Sequence, residues 1–407
     1  KMHNANLNSF LYLGYFLNSS VDNYPVSLSK ISHVDSNLSE FDLIGIGSNI
    51  LRLVVSDSFS LNSKHLVPIS GGLDSRALLA CLLEHTDASN ISTYTFGTPN
   101  TVDYDIGLSI SKKIGTKHVS FPLTEYTYTQ DKLMDISRRV NQQTVLFHHG
   151  PVDEIIDKFS GHITWSGFMG EVLSGDHIPS YKSKNLDQAK GVFLKSNRYT
   201  KSLKLINSYD NLFDAISHSE GVNKIISYEE ELDIYNRQSK YIAPHVLMDG
   251  LTYKTPFTDS RWVDFILSVG ERYRNEQYLY KKILLDSFPY LFSFPAKCSF
   301  GQRLDANKAS ILSNRIMHKI RKMANRRYPN ILNPHINYID FDDAIRNRSD
   351  VKSVIYENIM DLNNRKIVDW IDIVDIWKNH QSKNGNYSDV LMTLASLEIH
   401  LKTGMKI

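Results

Sequence analysis

The chain has 407 residues, 42% hydrophobic and 22% charged, which is enough for two domains, or for one α/β domain with a large helical addition, and argues against disorder. A formal charge of +2 gives no whole-molecule reason to expect a nucleic-acid or membrane-surface partner, and two cysteines, Cys81 and Cys298, exclude a disulfide framework and predict a reducing, cytoplasmic setting. No window approaches the roughly 20 apolar residues of a membrane span, and no cleavable targeting segment is expected at the start.

Residues 1–60 are read as a segment packing on the core, with a strand at LYLGYF and a helix over 42–55. Residues 61–185 read as an α/β core. LVPI (66–69) is a short strand; Asp74 to His85 carries Leu78, Leu79, Leu82 and Leu83 at helical spacing; ISTYTF (91–96) is β-rich; 103–115 is helical; KHVSF (117–121) is a third strand. This βαβαβ pattern predicts a parallel sheet with helices on both faces and a ligand crevice at the carboxyl ends of its strands. Residues 123–160 read as mainly helical, and HITWSG (162–167) as one more strand before a turn-rich stretch. From 186 to 407 the pattern predicts a helix-rich extension without strands, with helices near 211–218, 229–242, 260–270, 276–287, 309–325 and 364–378.

The chemistry concentrates at SGGLDS (70–75), between the first strand and its helix. Glycines at 71 and 72 can take positive φ and let backbone amides approach an anion, and the helix that follows adds unpaired amides and its dipole. Ser70 and Ser75 add hydroxyls. Asp74 would repel a bare anion but suits a magnesium ion riding on one, so the turn predicts a magnesium polyphosphate. The plain alternative is a tight turn with Asp74 as helix N-cap.

SGGLDS resembles the PP-loop of ATP pyrophosphatases, which cleave ATP between the α and β phosphates. With "YTFGTPNTVDYDIGLSISKKIGTKH", "TWSGFMGEVLSG", "YKTPFTDSRWVDFILSVGERYR" and "PAKCSFG" following in order, residues 65–302 resemble the synthase domain of asparagine synthetases. The resemblance implies ATP and Mg²⁺ as cofactors. Ser70, Gly71, Gly72 and Ser75 would hold pyrophosphate; Ile69, Thr95, Phe96 and Gly97 would border the adenosine; Gly167 would face the α-phosphate. Lys297 would sit over the charge developing at phosphorus. Asp74 and Glu171 would be the metal-side carboxylates, with Glu171 also catalytic and Asp176 behind it; Asp103 keeps the family's acid. The segment GFMGE (167–171) lacks the first acid of the family's G-E-G-x-D-E pattern. Arg76, where the family prefers Ser or Thr, is open between phosphate contact and solvent.

Too few residues precede the loop for the family's N-terminal glutaminase, so the acyl acceptor is expected to be ammonia from elsewhere or an amine substrate, as in β-lactam synthetases and lasso-peptide cyclases. The acyl donor is a small-molecule or glycan carboxylate, in bacterial surface-polysaccharide or natural-product biosynthesis. A homo-oligomer and a separate ammonia-supplying partner both stay open. His148, His149 and Tyr253 are candidates for the base, and Pro256, Phe257 and Asp259 for shaping the acceptor pocket. Two rival readings remain. The basic run Arg315, Lys319, Arg321, Lys322, Arg326, Arg327 suits a tRNA-modifying PP-loop enzyme, though the net charge does not favour a nucleic-acid partner. The thinned acidic segment suits a degenerate nucleotide-binding subunit, a reading that gains if Asp74 and Glu171 lie far apart.

Overall fold

The computed structural model describes residues 2–18, 26, 28, 37–209, 211–219, 226–327 and 337–406. Five parallel strands, β1 Lys64–Pro68, β2 Ile91–Gly97, β3 Lys117–Pro122, β4 His162–Trp165 and β5 Thr252–Lys254, form one sheet in the order β3-β2-β1-β4-β5. Strand order therefore reverses between β1 and β4, where Leu66 pairs with Ser92 on one side and Thr164 on the other. Crossover helices are α3 Asp74–Leu83 and α4 Val102–Ile114, while α6 Val152–Phe159 leads into β4; α1 Met2–Leu13, α2 Glu40–Ser58 and α5 Gln130–Arg139 complete the first half.

The twofold alternation of each strand sorts its side chains between two apolar layers. Leu66, Tyr94 and Phe121 pack with Ile155 and Phe159 of α6 on one face. Val67, Ile69, Ile91 and Trp165 pack on the other with Ala77, Leu78, Ile106 and Ile110 of α3 and α4. Helices thus cover both faces, as the βαβαβ pattern predicts. α2 starts at a capping box, with Ser39 Oγ accepting from the Asp42 amide at 3.1 Å and Asp42 Oδ2 from the Ser39 amide at 3.0 Å. α4 stops at Gly115, whose φ of +88° is the left-handed conformation that favours glycine.

A second core joins α1 and α5 to C-terminal helices, with Phe10, Leu11, Leu133, Ile355, Ile359, Leu394 and Leu397 buried together. Several expectations are corrected here. LYLGYF is the end of α1, a turn at Gly14 and a single bridge from Tyr15 to Thr144 rather than a strand. Residues 140–151 between α5 and α6 are not helical. The extension does supply a strand, β5, too short for an alternation signal. The 364–378 prediction straddles a break: Ser349–Arg365 ends at Lys366 with φ +57°, and Ile373–Gln381 begins after it. Ser388–Lys402 was not anticipated, because it is buried all round and shows little periodicity. Among the described residues no helix is long and apolar enough to cross a membrane.

Candidate active site

The loops after β1 and β4 meet at the strand-order reversal, the position where open parallel sheets take ligands. They border a cavity of about 820 Å³ on the α6 side, over the carboxyl ends of β2, β1, β4 and β5. Asp74 and Glu171 stand together there. The Glu171 amide donates to Asp74 Oδ2 at 2.8 Å, Tyr280 donates its hydroxyl to Asp74 Oδ1 at 2.8 Å, and Glu171 Oε1 accepts from the Leu73 amide at 2.9 Å. Asp74 is therefore not a cap: it is the first residue of α3 and bonds outside its own helix. Two glycines allow this approach. A Cβ on Gly167 would lie 2.5 Å from Asp74 Cβ, and one on Gly170 2.3 Å from the Asp74 carboxylate. Burial first, and then the neighbouring Glu171, holds the Asp74 carboxyl well above the usual carboxylate range; burial also raises Glu171, against the pull of the Leu73 amide.

Gly71 and Gly72 do not take positive φ, so the expected left-handed bend is corrected. They serve close packing instead. A Cβ on Gly71 would sit 3.1 Å from both Asp103 Oδ1 and Lys297 Cβ, and one on Gly72 3.3 Å from Ser70 Oγ. The bend's amides converge on acceptors: Gly71 on Asp103 at 3.1 Å, Gly72 on Ser70 at 3.2 Å and Leu73 on Glu171. Ser75 Oγ, on the cavity wall, is buried without a hydrogen-bond partner among the described residues.

Lys297 reaches this bend from the far side of the chain. Its ammonium pairs with Asp103, its amide donates to the Gly71 carbonyl at 2.9 Å, and its side chain is 61% exposed on the cavity rim. Arg76 neither lines the cavity nor faces solvent, which corrects both expectations. It is fully buried and donates to the carbonyls of Phe294 at 3.2 Å and Pro295 at 2.7 Å, with its guanidinium 5.5 Å from the Phe292 ring centroid.

Strand alternation separates the expected adenosine neighbours. Phe96 lines the cavity with Pro68 and Tyr94, whereas Thr95 and Ile69 face α4, where Gly107 packs against both. Gly97, at φ +143°, is closed off by Asn337. Gly167 and Ser166 lie on the wall. Pro256 and Phe257 are buried, Phe257 against Trp262 and Tyr280, and Asp259 caps the next helix; of that stretch the cavity takes only Tyr253. His148, His149 and His245 line the cavity, and burial pushes His148 and His245 down to about 4 and His149 well below its ordinary value, so all three are neutral near pH 7. Burial likewise pushes the Tyr253 phenol up to about 12.

Tyr280 had no sequence signal, since one tyrosine in a helical run does not announce a partner 206 residues away. Nor did the pair His177 and Asp233, 56 residues apart, in which the imidazole of His177, on the same cavity wall, has Nδ1 2.8 Å from the buried Asp233 carboxylate.

Among the described residues no three metal-ligating side chains come together, so a magnesium ion would rest on two carboxylates at most. That donor set fits magnesium, which takes one or two carboxylates and fills its remaining positions with phosphate oxygens and water. The adjacent carboxyls and the orphaned Ser75 hydroxyl fit a magnesium-bound phosphate. The chain matches no protein-family model and no curated protein sequence.

Proposed function

We propose that the protein is an ATP-dependent amide-bond-forming ligase, which adenylates a carboxylate with release of pyrophosphate and transfers the acyl group to ammonia or an amine. The observation that carries this reading is the juxtaposition of Asp74 and Glu171 under the glycine bend at the strand-order reversal. The same closeness denies the degenerate-subunit reading the separation of the two carboxylates that would have favoured it. The resemblance of residues 65–302 to asparagine synthetase synthase domains supports the same chemistry, at a cytoplasmic site and in polysaccharide or natural-product biosynthesis.

In this reading Asp74 and Glu171 hold the magnesium ion, and Ser70, Gly72 and Ser75 cradle the phosphates beside it. Magnesium, when bound, supplies positive charge against the leaving pyrophosphate. Phosphate oxygens take over the amides now held by side-chain oxygens. Asp103 releases the Gly71 amide and Lys297 turns its charge to the phosphorus, where a preorganised cation stabilises the pentacoordinate charge. Phe96, Tyr94 and Pro68 border the adenosine.

The test is pyrophosphate release from ATP and Mg²⁺ across a panel of carboxylates. The expected result is carboxylate-dependent release that falls more than about 100-fold in Asp74→Ala, the scale of losing a preorganised charged group. Equal release by wild type and Asp74→Ala contradicts the proposal.

A further inference from the structure

We propose that His177, oriented by Asp233, is the general base that takes the proton from the amine in the second half of the ligase reaction; the inference rests on that reading of the site. The pair has the arrangement that base catalysis needs. Asp233 is buried, its Oδ2 lies 2.8 Å from His177 Nδ1 and also accepts from Gln238 Nε2 at 3.1 Å. A carboxylate on Nδ1 fixes that nitrogen as the donor and leaves Nε2 as the acceptor. Nε2 lies 3.8 Å from Asp176 Oδ2, beyond hydrogen-bond reach, and His177 is on the wall of the cavity that Asp74, Glu171 and Lys297 also line.

The fold holds the two halves of this pair in register. Arg274 donates to the Leu173 carbonyl at 2.9 Å and to Glu230 at 2.6 Å, so one buried guanidinium ties the turn carrying His177 to the stretch carrying Asp233. Gly175, between Leu173 and His177, has φ +111°, and a Cβ there would lie 2.1 Å from the Arg274 carbonyl. Asp233 opens a π-helical stretch, Asp233–Ile242, a local widening that often accompanies functional sites.

His148, His149 and His245 are neutral and weakly basic. His177 differs: the Asp233 hydrogen bond raises it above its ordinary value against the opposing effect of burial. The charged groups around it are Asp176 on its own turn and Asp233 and Arg237 on the π-helical stretch, while Arg274 from the adjoining helix is taken by Glu230. A base with a value near working pH is the efficient one.

In the step, the amine nitrogen attacks the acyl carbon of the acyl-adenylate. The C–N bond forms as the C–O bond to AMP breaks, and AMP leaves with the electron pair on its phosphate oxygen. The surplus proton on nitrogen passes to His177 Nε2, leaving an imidazolium beside the Asp233 carboxylate.

The experiment gives the full-length protein ATP, Mg²⁺ and L-aspartate, D-glucuronate or benzoate, with hydroxylamine or methylamine as acceptor. Hydroxylamine is unprotonated near neutral pH and traps an acyl-adenylate with little help from a base; methylamine is largely protonated and needs one. The expected result is that His177→Gln lowers methylamide formation at least about 100-fold more than hydroxamate formation. Asp233→Asn gives the same selectivity on a smaller scale and moves the acid limb of the methylamide pH profile downward. NMR titration of the His177 ring in the folded Asp233→Asn variant reads the same downward shift without turnover. Parallel loss of both products, or an unmoved acid limb, makes the pair purely structural and overturns the base. Absence of hydroxamate from every donor in wild type overturns the ligase reading itself, and the base with it.

Discussion

Arg76, on the helix that follows the glycine bend, donates from Nη2 to the carbonyl of Pro295 at 2.7 Å, 219 residues away in sequence. Pro295 stands two residues before Lys297, so the helix that carries Asp74 also anchors the segment that carries the candidate catalytic cation. Replacing Arg76 by methionine keeps much of the volume but removes the donor from the carbonyls of Phe294 and Pro295. At about 1–3 kcal/mol for each buried acceptor left unmet, the urea midpoint should fall markedly. Arg76→Lys should recover only part of it, because one ammonium cannot reproduce the planar fork. An unchanged midpoint in Arg76→Met would show that the anchor contributes little.

Gly170→Ala should damage the site more than the fold. Its Cβ would fall 2.3 Å from the Asp74 carboxylate, so Asp74 and Glu171 must separate. The expected outcome is loss of pyrophosphate release with circular dichroism unchanged. Gly191→Ala is the control: nothing lies within 4 Å of its new Cβ, and alanine in that exposed helix should be neutral or stabilising by about 0.5–1 kcal/mol.

The carboxyl pair makes ligand-free stability depend on pH. Both Asp74 and Glu171 have folded values raised above their ordinary ones, Asp74 by burial and by Glu171, and Glu171 by burial. The folded protein then binds more protons than the unfolded chain, and this contribution is complete below the ordinary carboxylate values of 3.8 and 4.5 and is lost as pH rises through the raised values. Asp74→Asn should therefore raise the urea midpoint at pH 8 while abolishing turnover. A lower midpoint at pH 8 would mean that the ionised pair is not repulsive.

Acid should act through different groups. His148, His245 and His400 are buried with values lowered by burial from 6.5 to about 4, so each is neutral when folded. Their contribution is present above 6.5 and is lost as pH falls from there toward 4. The urea midpoint should decline across that window, and His400→Gln, which removes one titrating ring, should flatten the decline. An equally steep decline in His400→Gln would place the acid sensitivity elsewhere.

The parallel core was legible because its strands and helices carry clear periods: LVPI, ISTYTF and KHVSF alternate or run apolar, and Asp74 to Leu83 repeats at helical spacing. The site was legible where the resemblance supplied the distant partners, since Glu171 and Lys297 do meet the Asp74 bend. What failed has physical reasons. Thr95 and Ile69 do not line the cavity, because a strand sends neighbours to opposite sides and a motif does not say which side holds it. Arg76 stays open between phosphate contact and solvent until the carbonyls of Phe294 and Pro295 are folded over it. β5 has only three residues, and Ser388–Lys402 is buried on every side, polar residues included, so neither offers a period to detect.

Lys297→Gln separates chemistry from stability. The side chain is 61% exposed, and exposed ion pairs are worth about 0–1 kcal/mol, so the urea midpoint should barely move. Pyrophosphate release should fall about 100-fold or more if the ammonium stabilises charge at phosphorus. Unchanged release would reduce Lys297 to a surface partner of Asp103.

The most direct measurement of the central claim is ³¹P NMR of the products formed from ATP, Mg²⁺, a carboxylate panel and hydroxylamine by wild type and Glu171→Gln. The account predicts AMP and pyrophosphate in equal amounts from wild type, with both nearly absent from the variant. ADP and inorganic phosphate as products, or AMP and pyrophosphate made equally well by Glu171→Gln, would contradict it.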